Sequence, residues 1–237
     1  MLAHAGTGSC FAVNAVSFVA VILALWRIRI PSPQATTRSL SQSLRDGLAH
    51  VGGNPVLRLL TLLGFAGSFL AFPLITFLPV IAGGVLRTGA QGYSLLLSSF
   101  GSGAIVGAIV TAQRGRAAGR GRASLAAFVV YGLATLGALL ATSQWAAMAL
   151  LLVSGFFLVT AFSTVNSLVQ ENVPDALKGR VLGIYGLAFR GGGPLGSLIA
   201  GPLVRGFGAP AVMGTFSLLL ALAAASVWLK SDRVRSL

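Results

Sequence analysis

Trp145–Leu168 reads WAAMALLLVSGFFLVTAFSTVNSL, twenty-four residues without one charge. A helix rises about 1.5 Å per residue, so roughly 20 apolar residues cross the ~30 Å hydrocarbon core of a bilayer. The stretch is long enough to span. The surroundings give it no aqueous alternative, because of 237 residues 55% are hydrophobic and only 9% are charged, with a mean hydropathy of +0.88. A water-facing surface needs far more charge than that.

Working outward from this run, apolar stretches bounded by charge, Gly or Pro recur at Ala123–Thr142, Tyr93–Ala112 and Leu57–Gly83 on one side, and at Val181–Val204 and Pro210–Leu229 on the other. Gly6–Trp26 makes a seventh. Only Met1 to His4 precede it, and Arg27 and Arg29 follow it, so it lacks the basic leader of a signal peptide and reads as a retained span. The predicted fold is an all-α membrane protein of seven transmembrane helices. It divides into a first span (1–26), a polar linker (27–56) and a six-helix bundle (57–237).

A formal charge of +13 would suit nucleic acid if the basic residues formed one patch. They alternate between connections instead. Segments 27–58, 113–122, 169–180 and 230–237 hold fourteen of the seventeen Lys and Arg residues, and the intervening connections hold only Arg87 and Arg205. The positive-inside rule puts those four segments in the cytoplasm, with the amino terminus outside and the carboxyl terminus inside. The implied partner is the lipid bilayer of a cell membrane, not nucleic acid.

Chemistry within the membrane is sparsely provided. The single Cys10 excludes an internal disulfide, and His4 and His50 lie far apart, so neither a metal site nor a cofactor is expected. The four acids, Asp46, Glu171, Asp175 and Asp232, all fall in predicted cytoplasmic segments, which leaves no paired carboxylates for hydrolysis or proton relay. An enzyme is not expected.

Within the linker, Leu40, Leu44, Leu48 and Val51 recur at helical spacing among polar residues, as in an amphipathic helix on the cytoplasmic surface; a flexible linker is the alternative. Three small-residue surfaces mark close helix contacts: Gly101, Gly103 and Gly107; Gly192, Gly196 and Ala200; Gly64, Ser68 and Ala71. Pro73 and Pro79 predict a kinked or interrupted second helix, either bordering a cavity or serving packing alone. Arg190 sits near the middle of its span, where a charge is costly and must face the bundle interior or water. It would contact a substrate or clamp helix carbonyls. Asn14, Ser17, Thr160, Ser163, Thr164, Asn166 and Ser167 would hydrogen-bond between helices or line a wet cavity, with Asn166, Gln170 and Asn172 close to the basic loop.

The stretch from Asn166 to Leu198, NSLVQENVPDALKGRVLGIYGLAFRGGGPLGSL, resembles the helix ten to helix eleven region of major facilitator superfamily transporters, nearest to the enterobactin-exporter-like branch. FAVNAVSF (11–18) is similar to that branch's sixth helix and FPLITFLPV (72–80) to its seventh. The resemblance implies helices six to twelve of a twelve-helix transporter. It also makes QRGRAAGRGR (113–122), with Arg114, Arg116, Arg120 and Arg122, similar to the family's basic gating loop, although Arg116 stands where that signature carries an acid.

What the resemblance implies is the carboxyl-terminal half of a proton-coupled antiporter that exports small molecules such as drugs or siderophores. Arg190, Pro73 and Asn166 are its cavity candidates. Alternating access rocks one six-helix bundle against another, so the chain would need the family's amino-terminal half or a second copy of itself. The competing readings are a non-transporting membrane remnant or interaction subunit and, more weakly, a seven-helix receptor.

Overall fold

The computed structural model describes residues 2–27, 40–84, 89–115 and 119–231. The described residues are helical almost throughout. They fall into two units, residues 1–39 and residues 40–237. The first contains α1 (Leu2–Arg27), whose apolar part runs Asn14–Arg27.

Among the described residues the second unit holds eight α-helices: α2 (Leu40–Gly53), α3 (Pro55–Ala71), α4 (Pro73–Gly84), α5 (Gly89–Arg114), α6 (Arg120–Leu140), α7 (Gln144–Glu171), α8 (Lys178–Phe207) and α9 (Ala209–Lys230). Five segments among the described residues are long and apolar enough to cross a membrane: α3 with α4, α5, α6, α7 and α9. The 30-residue α8 is as long as the longest of them, α3 with α4, but its glycines, Pro194, Pro202 and Arg190 dilute its apolar character. The chain is a multi-pass helical membrane protein.

Local sequence explains the ends and the break. The Asn54 side chain accepts hydrogen bonds from the backbone N–H groups of Val56 and Leu57 at 3.0 and 3.2 Å, and Pro55, which has no N–H to leave unpaired, opens α3. Seventeen residues later the span is interrupted at Phe72, because Pro73 cannot donate to the preceding turn. The Ile75 N–H bonds to the Phe72 carbonyl at 3.1 Å instead, and the buried Tyr131 hydroxyl of α6 donates to the Ala71 carbonyl at 3.4 Å. Pro79 lies within α4 and the helix continues through it.

Packing follows two seams. In one, α5 lies on α7, and α7 lies also on α6, which in turn packs on α9; in the other, α3 lies on α8. Glycine makes the first close. A methyl group on Gly103 would overlap the Leu152 carbonyl, one on Gly107 the Phe156 carbonyl, and one on Gly155 the Phe100 carbonyl. Gly101 meets nothing within 4 Å. On the second seam, Gly192 sits against Ser68 and Phe65, and Gly196 against the Phe69 carbonyl and Pro73. Buried hydroxyls add polar links such as Thr135 to Ser154 at 3.1 Å between α6 and α7.

The amphipathic segment of the linker forms α2, which docks on α8 and α3. Gly47 lies against Ile184 and Arg180, Val51 is buried, and Arg180 Nη1 donates to Asp46 at 3.2 Å. Leu44 and Leu48 are exposed on this helix.

The glycine seam yields a direct test. Gly103→Ala should lower resistance to unfolding in a mixed-micelle SDS titration by about 1–3 kcal/mol, the usual cost of forcing extra volume into a packed contact. Gly101→Ala, two residues away in open space, should be neutral or stabilising by up to about 1 kcal/mol through helix propensity. Equal effects would mean that the α5–α7 contact is looser than the structure has it.

Candidate functional site: a one-sided cleft between α7 and α8

Helical periodicity brings the cleft together from two elements. On α7, Phe162, Ser163, Asn166 and Gln170 recur every three or four residues and share a face; on α8, Leu182, Tyr185, Gly186, Phe189 and Arg190 do the same. Those two faces line a cleft of about 450 Å³. Along α8 it runs from Leu182 to Arg190, about 12 Å at 1.5 Å per residue.

The floor of the cleft is aromatic. Phe162 and Phe189 meet edge to face with ring centres 4.9 Å apart, and Tyr185 stacks on Phe189 at 6.1 Å. Phe72, at the break between α3 and α4, buttresses both phenylalanines at 5.6 and 5.5 Å, and Phe128 of α6 meets Phe162 at 5.5 Å. Edge-to-face pairs hold one another's orientation as well as burying area, so these rings form a fixed wall.

The rim is polar. Asn166, Gln170 and Arg190 are all exposed along the cleft. Arg190 makes no hydrogen bond or ion pair to any described residue, so the helix-carbonyl clamp is not formed. Of the cavity candidates, Arg190 and Asn166 share this cleft. Pro73 is buried behind it, against Gly196, and is not part of the lining.

A second polar cluster closes one end of the bundle. Arg120, at the start of α6, forms a salt bridge with Glu171 at the end of α7, with Nη1 3.0 Å from Oε1. Ser167 accepts from Arg120 at 3.2 Å and donates to Glu171 at 3.2 Å. Arg122 stands 5.6 Å from the centre of the Trp228 ring of α9. The loop thus makes its ion pair with an acid on α7. Arg116 lies outside the described residues, as does the side chain of Arg114. Beyond α7, Lys178 Nζ lies 2.6 Å from Asp175, and its hydrogen bond and charge hold that exposed carboxyl below its ordinary pKa. Among the described residues no three His, Cys, Asp or Glu side chains group as metal ligands.

The sequence marks Arg190 and Asn166 by their polarity but not the rings of Phe162, Tyr185 and Phe189. Their spacing holds a signal: Phe162 lies one turn before Asn166, Phe189 adjoins Arg190, and Tyr185 lies one turn before Phe189.

Long apolar helices packed backbone to backbone, with a cleft open on one side, define a helical membrane bundle. Residues 1–235 match the transmembrane secretion effector family of the major facilitator superfamily, and the chain belongs to that family. It is 28% identical over 244 residues to the multidrug efflux pump Tap of Mycolicibacterium fortuitum. The alignment takes in all of this chain and 59% of the relative, so the chain spans about three-fifths of the length of that protein.

The Arg120–Glu171 pair is largely shielded, with side chains 16% and 27% exposed. In a double-mutant cycle of Arg120→Gln and Glu171→Gln read by SDS unfolding, the pair should show a coupling of about 1 kcal/mol or more. Additive effects would show that the two charges are held independently.

Proposed function

We propose that this chain forms the carboxyl-terminal half of a secondary active exporter of small molecules, with the α7–α8 cleft as its share of the substrate path. The observation that carries the reading is the polar rim: Arg190, Asn166 and Gln170 stand exposed on otherwise apolar helices. In lipid such groups are costly, so they face water, substrate or an opposing bundle. Membership of an exporter-bearing superfamily and the likeness to a multidrug efflux pump support the same reading.

The opposing wall comes from a second six-helix bundle, whether the family's amino-terminal half or another copy of this chain. The four acids of this chain lie outside its long apolar runs, so proton coupling falls to carboxylates of the amino-terminal half where that half is the second bundle. The protein resides in the plasma membrane as a transporter, not an enzyme. Its amino terminus is outside and its carboxyl terminus in the cytoplasm, which places Arg120 and Glu171 at the cytoplasmic mouth.

Two measurements test this. An immunoblot against residues 230–237 gives the native mass: a band near twice 24.2 kDa fits two six-helix repeats in one polypeptide. A band at 24.2 kDa requires self-pairing for transport. The native product in proteoliposomes should then show uptake or release of a dye driven by an imposed pH gradient, with Arg190→Gln reducing the rate about tenfold. Absence of gradient-driven flux, with the protein folded and correctly oriented, would leave the non-transporting remnant as the better reading.

A further inference from the structure

We infer that the α7–α8 cleft is selective for aromatic organic anions, binding a planar ring on its aromatic wall and the acidic group at Arg190. This rests on the cleft being a substrate path. It goes further by naming the charge and shape that the path accepts.

Charge comes first. Arg190 is the sole side chain in the cleft lining that carries charge at neutral pH, and neither Asp nor Glu lines it. Three of the acids stand elsewhere: Asp46 pairs with Arg180, Glu171 with Arg120 and Asp175 with Lys178. The cleft therefore has a positive potential that no described residue of its own neutralises. Charge among apolar helices is stable only when compensated, and a guanidinium is matched by oxyanions such as carboxylate, sulfonate or phosphate groups, two of whose oxygens it holds through parallel hydrogen bonds. A cationic ligand would meet repulsion.

Shape comes second. Phe162, Phe189 and Tyr185 line the cleft with Arg190; Phe72 backs Phe162 and Phe189, Phe128 backs Phe162, and Tyr185 stacks on Phe189, so the rings support one another without a ligand. A rigid aromatic surface favours a flat, apolar body over a flexible or strongly hydrated one. The volume of about 450 Å³ lies within the range of pockets for small organic molecules. Asn166 and Gln170, one and two turns beyond Phe162, supply amide donors and acceptors for further polar groups on the same ligand. An anion on a ring satisfies all three parts together. A hydrophilic anion would leave the wall unused, and an aromatic cation would leave Arg190 uncompensated.

The test uses the native product in nanodiscs and two probes with the same ring, naphthalene sulfonate and naphthyl trimethylammonium, with binding measured by equilibrium dialysis against empty nanodiscs. The sulfonate should bind at least about tenfold more tightly than the ammonium. Arg190→Gln should weaken the sulfonate about tenfold and leave the ammonium unchanged or tighter. Arg190→Lys, which keeps the charge but not the planar fork, should fall between. An unchanged melting temperature confirms that each variant is folded. The inference is overturned if the ammonium binds as well as the sulfonate. It is overturned equally if Arg190→Gln leaves sulfonate affinity unaltered, the result expected if Arg190 instead pairs with a carboxylate of the opposing bundle. In either case gradient-driven dye flux would still uphold the exporter reading, whereas loss of both flux and binding would remove that reading too.

Discussion

Helices in lipid gain little by hiding apolar side chains from one another, since the surrounding hydrocarbon is equally apolar. What holds them is close approach, and close approach needs missing side chains. In this chain the contacts between Gly103, Gly107 and Gly155 fix α5 on α7, and those of Gly192 and Gly196 fix α8 on α3. The rest of the bundle depends on these two seams. They set the distance at which Phe72 reaches Phe189 and Phe162, so the aromatic wall of the cleft is a consequence of where glycine lets two backbones meet.

The interruption at Phe72 shows how a local defect becomes part of the site. Proline removes a donor, the helix divides into α3 and α4, and a tyrosine from α6 reaches the Ala71 carbonyl that the break leaves available. Phe72 sits at that joint and supports the rings lining the cleft. Any change in the angle between α3 and α4 would therefore alter the aromatic wall of the cleft. This couples the geometry of the second span to the cleft although Pro73 is not part of its lining.

Much of this architecture was legible in the residues. Runs such as Trp145–Leu168 need only length and the absence of charge to be recognised as spans. Arg190 and Asn166 stand out because polar groups are costly in apolar helices. Gly101 shows the limit of grouping residues by nearness in sequence: it stands two positions from Gly103, about 200° round the helix, so it lies off the stripe of Gly103 and Gly107, and a methyl there would meet no neighbour. Pro73 shows it again: a proline within a span signals a break, and whether the break faces a cavity depends on which helix lies against it.

The sequence by itself determined that the chain is helical, that it belongs in a membrane and which residues are too polar to face lipid. These follow from composition and period, which are local properties. The tertiary structure alone decided that Phe162, Tyr185 and Phe189 form one wall with Arg190 at its edge, and that Arg120 pairs with Glu171 fifty-one positions away. Such pairings depend on which faces of which helices meet, and that is set by the sum of many weak contacts, none of which leaves a mark at a single position.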